Sequence, residues 1–289
     1  MANIIHGTTQ VANWSPTNFG ASVEGFMRSS LEIAGTMYDA SAWSTGGAVV
    51  KYPLPGALTA QTKTSETFLT EYAGTASAEA VATITLSTQY AVPLFIELIA
   101  MNQVTSDVDL MADLASRGGY AMKKAFETAL CLLVQTATTH DVTLGTDNII
   151  TWVKLTEGWG KLANANIAPY ETTLGMSGPA WALSMADWGT NYTSASQIGD
   201  GTNFLSTGKY GYIAKTPVYV TSDWESDGTT GDEAATLWHK HAVGWAIQGG
   251  VETLGPTPVI LGGGYSLGLY MTAAGTLAIN GFAANFNQP

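Results

Sequence analysis

Charge is scarce in this 289-residue chain. Only 12% of its residues are Asp, Glu, Lys or Arg, about half the ~25% usual in a soluble globular domain. Positive charge is the scarcer sign: 11 Lys and Arg against 23 Asp and Glu leave a net charge of −12. Binding a phosphate backbone takes Lys and Arg, so the balance argues against nucleic-acid or acidic-membrane binding. Cys131 stands alone, which excludes an intrachain disulfide framework. Apolar runs are short, such as AVPLFI at 91–96. A membrane-spanning helix needs ~20 apolar residues, so no such helix is expected. The opening MANIIHGTTQ has no basic stretch followed by an apolar core, so no secretory leader is expected. No G-x-S-x-G elbow occurs, and Gly262-Gly263-Gly264 is not followed by the Gly-Lys-Ser/Thr of a phosphate loop.

What remains is apolar, small and aromatic. Hydrophobic residues make up 46% of the chain, with 32 Gly, 9 Trp, 12 Tyr and 8 Phe. That content builds a core and excludes intrinsic disorder, which needs low hydrophobicity and high charge. The length suits one large domain or two modest ones. So few charges leave much of the surface neutral, as in proteins with large permanent contacts, where interface cores are depleted of charge.

The first 46 residues show no clear period beyond a short helix predicted at 29–38, and read as an extended arm with little core of its own. Such an arm packs on a neighbour, and its removal is expected to leave a folded subunit. Residues 48–54 (AVVKYPL) are strand-like. Residues 80–92 (AVATITLSTQYAV) alternate with period two and are rich in β-branched side chains. With the polar, Thr-rich stretch between them, they read as one long hairpin that buries little within a subunit.

The strongest local signal is a helix over residues 107–136. Ser106 suits its N-cap, and Asp107 and Asp109 suit the positive end of its dipole. Leu110, Leu114, Met122, Phe126, Leu130 and Leu133/Val134 recur about every four residues. Gly118-Gly119 interrupts the pattern and marks a bend, with each Gly costing ~1 kcal/mol relative to Ala. Cys131 lies on this helix and reads as a small buried apolar side chain. A second helix is predicted from Asp147/Asn148 to about 165, then a strand at 172–177, a helix at 180–188 after Gly178-Pro179, a loop at 189–208, and a strand within 212–221. Residues 222–232 form a loop, and 234–248 (AATLWHKHAVGWAIQ) favour a helix. Strands close the chain at 258–261, 266–272 and 276–282.

Candidate chemistry is thin. His239 and His241 would share one side of a strand and could chelate a metal. His6 and His140 are distant in sequence and no Cys pair exists, so an ordinary histidine pair is the reading. Asp107/Asp109 and Asp223/Glu225 read as helix-start charge and loop solvation. No catalytic, cofactor-binding or metal-ligating residue is expected.

The order of elements resembles the major capsid protein of tailed bacteriophages, a coat fold shared with gene transfer agents and encapsulin nanocompartments. The likeness is carried by KYPLPGALTAQ and EAVATITLSTQYAVPLFIELI as an extended β-loop, and by SDVDLMADLASRGGYAMKKAFETALCLL as a spine helix. IITWVKLTEGWGKLANANIAPYETTLGMSGPAWALSM resembles the opening of the axial domain, GYIAKTPVYVTSDW one of its strands, and TAAGTLAINGFA the closing strand.

The resemblance implies an α+β fold with an N-terminal arm (1–46), an extended loop with flanking strands (47–104), a spine helix of the peripheral domain (105–148), an axial domain (149–257) and C-terminal strands returning to the peripheral domain (258–289). It implies self-assembly into hexamers and pentamers of an icosahedral head in the virion, assembled in the host cytoplasm. Portal, scaffolding and decoration proteins would be partners, with no membrane. Double-stranded DNA would be enclosed but not specifically bound, and an acidic wall suits that. An encapsulin-like shell is the main alternative. A β-rich carbohydrate-binding or tail protein is a weaker one, opposed by the long helix. Some relatives weld subunits through a loop Lys and an Asn. Lys63, beside Glu66 and Glu71 in a polar loop, favours its charged ammonium, so no cross-link is expected.

Overall fold

A computed structural model describes residues 23–25, 31–44, 46–54, 80–97, 110–145, 149–194, 209–221, 224, 233–259 and 264–287. The predicted hairpin tip with Lys63, Glu66 and Glu71, the N-cap at Ser106, and His6, Asp147/Asn148 and Asp223/Glu225 lie outside the described residues.

In chain order, β1 (Tyr38–Asp39), β2 (Val49–Pro53), β3 (Val81–Thr85) and β4 (Gln89–Glu97) precede helix α1 (Leu110–Gln135). β5 (Asp141–Thr143), α2 (Trp152–Ala163), β6 (Thr172–Met176) and α3 (Gly178–Trp188) follow. Then come β7 (Tyr192–Ser194), β8 (Lys209–Ile213), β9 (Thr216–Val220), β10 (Glu233–His239), β11 (Val243–Val259), β12 (Gly264–Leu277) and β13 (Ala283–Asn287). The strands form a seven-stranded sheet in the order β5-β13-β10-β6-β9-β8-β7, a four-stranded sheet β1-β11-β12-β4, and the two-stranded ribbon β2-β3.

Helix α1 lies on the four-stranded sheet. Ala115, Met122, Phe126, Leu130, Cys131 and Val134 form its buried stripe, recurring every three or four residues as a helix with one covered face requires. Phe126 meets Tyr90 of β4 and Trp245 of β11 edge-on, with ring centroids 6.1 and 5.5 Å apart. Cys131 is buried in this core, as its apolar neighbours suggested.

The helix runs unbroken through Gly118-Gly119. Gly118 faces β12, and a Cβ there would meet Leu269 Cδ1 at 2.5 Å. Close approach of helix to sheet, rather than a break in the helix, accounts for this glycine. Gly118→Ala gains ~1 kcal/mol of helix propensity, but it drives a methyl into a filled core at a cost of ~1–3 kcal/mol. The expected net result is a modest loss of stability, read as a lower urea midpoint at unchanged slope. A higher midpoint would show that the glycine is not needed for packing.

The seven-stranded sheet carries α2 and α3. α2 starts at Trp152, capped by the Thr151 hydroxyl accepting from Lys154 N–H, and Asn166 in left-handed backbone (φ 59°) follows its end. α3 starts at Gly178, two residues before the expected 180, after Ser177, whose hydroxyl accepts from Ala180 N–H.

Several expectations are corrected. Residues 234–248 form the end of one strand and the start of another, not a helix. β10 runs between β13 and β6, and both of its faces are covered from Ala235 to Trp238. A strand buried on both faces has no period to read. The stretch 80–92 is two strands: β3 keeps the alternation and pairs with β2, whereas β4 leaves to join β12. The ribbon also buries more than expected. Val50, Tyr52, Ala82 and Ile84 pack with Ala40 and Ala246 in a core of their own. Within 189–208 a short strand, β7, pairs with β8. Among the described residues of 29–38 only Ala34–Thr36 is helical, as a 3-10 turn. Residues 276–282 split between the end of β12 and a turn at Asn280–Phe282. The expected boundary at 257/258 falls inside β11, while β13 belongs to the seven-stranded sheet.

The expectation of an arm without a core fails for residues 31–40. Ile33, Ala34 and Met37 join the core beneath α1. The Glu127 carboxylate on α1 accepts from the backbone N–H of Glu32 and Ala34, at 2.6 and 3.2 Å. Lys123 Nζ lies 2.9 Å from Glu32 Oε1 and 3.6 Å from Glu127 Oε2. Trp245 Nε1 donates to the Ala34 carbonyl and Trp238 Nε1 to the Thr36 hydroxyl. The segment is strapped to the helix by polar contacts that hydrophobic periodicity cannot reveal.

Candidate assembly surface

The ribbon β2-β3 has two unlike faces because its sequence alternates. Val50, Tyr52, Ala82 and Ile84 point inward and are buried. The register pairs Val49 with Thr85, Lys51 with Thr83 and Pro53 with Val81 on the outward face. Val49 and Val81 are 46% and 53% exposed. Lys51 is the only charge on this face, which otherwise carries two Val, two Thr and Pro53.

Strand β4 offers a second element. Tyr90, Val92 and Leu94 turn to the core, while Phe95 is 50% exposed. β4 closes the four-stranded sheet on one side, so one of its backbone edges has no partner strand among the described residues. An edge of this kind is a template for pairing with another chain. Pro93, opposite Gly268 at a position whose backbone faces away from β12, removes one N–H donor from this open edge.

A third element lies on the helices of the seven-stranded sheet. Val153 is 70% exposed on α2, and Leu183 and Met185 are half-exposed on α3. α3 fixes the start of α2 in place. Ser184 Oγ accepts from Ile150 N–H, Asp187 Oδ2 accepts from Trp152 N–H at 2.7 Å, and Trp188 Nε1 donates to the Ile150 carbonyl. A shallow cavity of about 470 Å³ lies against these residues, lined by Ile149, Thr151, Leu183 and Asp187 among others.

The expected histidine pair is brought together. His239 ends β10, His241 follows in the corner, and their ring centroids are 5.4 Å apart. Burial lowers the pKa of both below the usual histidine value. The neighbouring His241 adds to this for His239, as does Lys240 for His241. Among the described residues no group of three or more His, Cys, Asp and Glu gathers to hold a metal. No described helix is long and apolar enough to cross a membrane.

The residues that sequence reasoning missed are Lys123 and Glu127. They lie four apart on the same stripe as Met122 and Phe126. Charge of both signs on an apolar stripe was the available signal. Desolvation raises the Glu127 pKa, opposed chiefly by the Lys123 ammonium and then by the two backbone N–H groups.

No family model matches the chain, and no curated relative matches it. Solved structures do. Mycobacterium phage Che8 superposes with a TM-score of 0.62 at 15% identity, over 88% of this chain and 90% of that one. The capsid of cyanophage P-SCSP1u gives 0.59 at 13% identity, over 88% and 86%. A virus-like particle from Pyrococcus furiosus gives 0.55 at 9%, over 93% and 98%.

The chain has the fold of phage capsid proteins.

A match over 88% cannot be met by either large sheet alone, since the seven-stranded sheet lies within residues 141–239 and 283–287. The match therefore takes in parts of both sheets. In this fold the exposed ribbon face, the open β4 edge and the α2–α3 surface belong to one subunit's outside.

Proposed function

We propose that the protein is the major subunit of an icosahedral phage head, assembling into hexamers and pentamers around double-stranded DNA. The observation that carries this reading is the capsid fold over nearly the whole chain, matched by phage capsid structures over 86–90% of their own length. Three apolar outer surfaces on a weakly charged chain supply contacts, and the free β4 edge can add main-chain hydrogen bonds to a neighbour. An arm within 1–46 that is anchored to its own subunit at 31–40, an extended loop over 47–104 and an axial domain built on the seven-stranded sheet are proposals on the same footing. So are assembly in the host cytoplasm and portal, scaffolding and decoration partners. The net charge of −12 keeps the wall from binding the packaged DNA tightly.

A second reading is a closed protein compartment without a genome, favoured by the likeness to the virus-like particle, whose chain is covered over 98%. Sedimentation and negative-stain microscopy of the purified protein at physiological salt test the shared claim. Closed shells or capsomer rings are expected, and a ~30 kDa species at all concentrations, with and without a scaffold, would refute it. Boiled in detergent, the shells should give one band near 30.3 kDa. A ladder abolished by Lys63→Ala would instead show a covalent weld. Nuclease-resistant DNA in shells isolated with their genome separates the head from the empty compartment.

A further inference from the structure

Three segments carry the chain between the four-stranded and seven-stranded sheets and their helices: 136–140 between α1 and β5, 240–242 between β10 and β11, and 278–282 between β12 and β13. They meet in one junction. Asn280 Oδ1 accepts from Thr138 and Thr139 N–H, at 2.9 and 3.3 Å. The Ala242 carbonyl accepts from Ala278 and Ile279 N–H, and Ala242 N–H donates back to the His239 carbonyl at 2.8 Å. Each of the three described histidines sits here. His239 and His241 flank the β10–β11 corner, and His140 borders Gly281.

We propose that this junction is an acid-opened hinge, in which protonating His239 and His241 loosens the crossovers and frees the two sheets to change their mutual orientation.

The geometry requires a neutral imidazole at His239, while His241 faces it as the second ring of the pair. His239 Nδ1 accepts from the His241 backbone N–H at 3.3 Å. An imidazolium carries a proton on both ring nitrogens and accepts at neither. Protonation therefore sets one N–H against another at the corner. The His239 ring also meets the Phe282 edge at 5.4 Å, so a change at β10–β11 is felt directly in the β12–β13 crossover.

The positive charges around the pair favour opening once it is protonated. Lys240 lies between the two histidines in sequence and adds a like charge beside His241. Glu171, next to the Thr172 that registers with His239, is, among the described residues, the one carboxylate acting on His239; it favours the charged imidazole and opposes opening, as the last and weakest of the three influences. Tyr38 of β1 packs on His241 at 5.1 Å, with Tyr52 of β2 stacked behind it at 4.9 Å. Asp39 shares a shallow surface cavity with Lys240 and Tyr38.

Burial holds both histidines below their ordinary value of 6.5. Closure is thus fully stabilised above pH 6.5 and weakens as pH falls from there through the lower folded values. Within that window the opening constant rises about tenfold per pH unit for each imidazole.

Hydrogen exchange of the full-length, unassembled subunit tests this, corrected for the chemical pH dependence of exchange. Its outcome does not depend on whether shells form. From pH 7.5 to 5.5, peptides covering 238–244 and 277–282 should open at least tenfold more, while a peptide within residues 122–134 of α1 should not. In His239→Gln with His241→Gln the rise should vanish. An equal rise in the double variant, no rise in the wild type, or an equal rise in α1 would each overturn the hinge. Should the double variant not fold, proton NMR of the wild-type imidazoles decides instead. Both corner histidines must titrate below 6.5 together with the crossover amides. Titration at the ordinary value, or without amide shifts, overturns the proposal.

Discussion

Deletion of residues 1–40 is expected to abolish folding of the subunit, not merely its assembly. Val23, Ile33, Ala34, Met37 and Ala40 are buried. Losing even the Ile and Met side chains to cavities costs ~2–5 kcal/mol each, against a total stability of ~5–15 kcal/mol for a typical domain. The deletion also strips the Glu127 carboxylate of both backbone donors and the Trp245 indole of its acceptor, each a buried polar group left unpaired. Near-ultraviolet circular dichroism of the purified truncation should show no fixed aromatic packing. A truncation with the wild-type spectrum and a cooperative melt would restore the reading of this segment as a detachable arm.

Lys123→Met is expected to cost ~3–5 kcal/mol at pH 8, because it leaves the Glu127 charge buried without its cation. The Lys123 side chain is 9% exposed and that of Glu127 1%. The pH dependence distinguishes this cause from lost packing. Burial already raises the Glu127 pKa, and removing the ammonium raises it further. A carboxyl whose folded pKa lies above its unfolded one favours the fold when protonated and opposes it once ionised. The deficit of the variant is therefore largest above the folded pKa and shrinks as pH falls toward the ordinary carboxyl range near 4.5. Urea titrations at a series of pH values read this directly. A deficit below 1 kcal/mol at pH 8, or one independent of pH, would show that the ion pair does not hold the strap.

How much of this was legible in the sequence depends on which faces of each element are covered. The ribbon strands β2 and β3 and the helix α1 each have one covered face, so periods of two and 3.6 were visible in AVATIT and in the Met122-Phe126-Leu130 stripe. β10 is covered on both faces, so it shows no period of two and was read as part of a helix. The division of 80–92 into two strands was invisible because pairing partners are long-range: β4 meets β12 some 180 positions later. The strap at 31–37 was missed because backbone N–H groups, the Glu127 carboxylate and two indoles hold it as much as apolar contacts do. The candidate assembly surface was legible only as a shortage of charge. Its location on the outward face of the ribbon, the β4 edge and the α2–α3 surface required the register.

The central claim is that this fold builds a closed shell through those outer surfaces. Cryo-electron microscopy of the assembled particles tests it most directly. The expected map is an icosahedral shell of five- and sixfold capsomers in which each subunit fits this fold and a neighbouring chain covers the outward face of β2-β3. A map of another symmetry-free or filamentous assembly, or a shell in which that face and the β4 edge stay open to solvent, would contradict it.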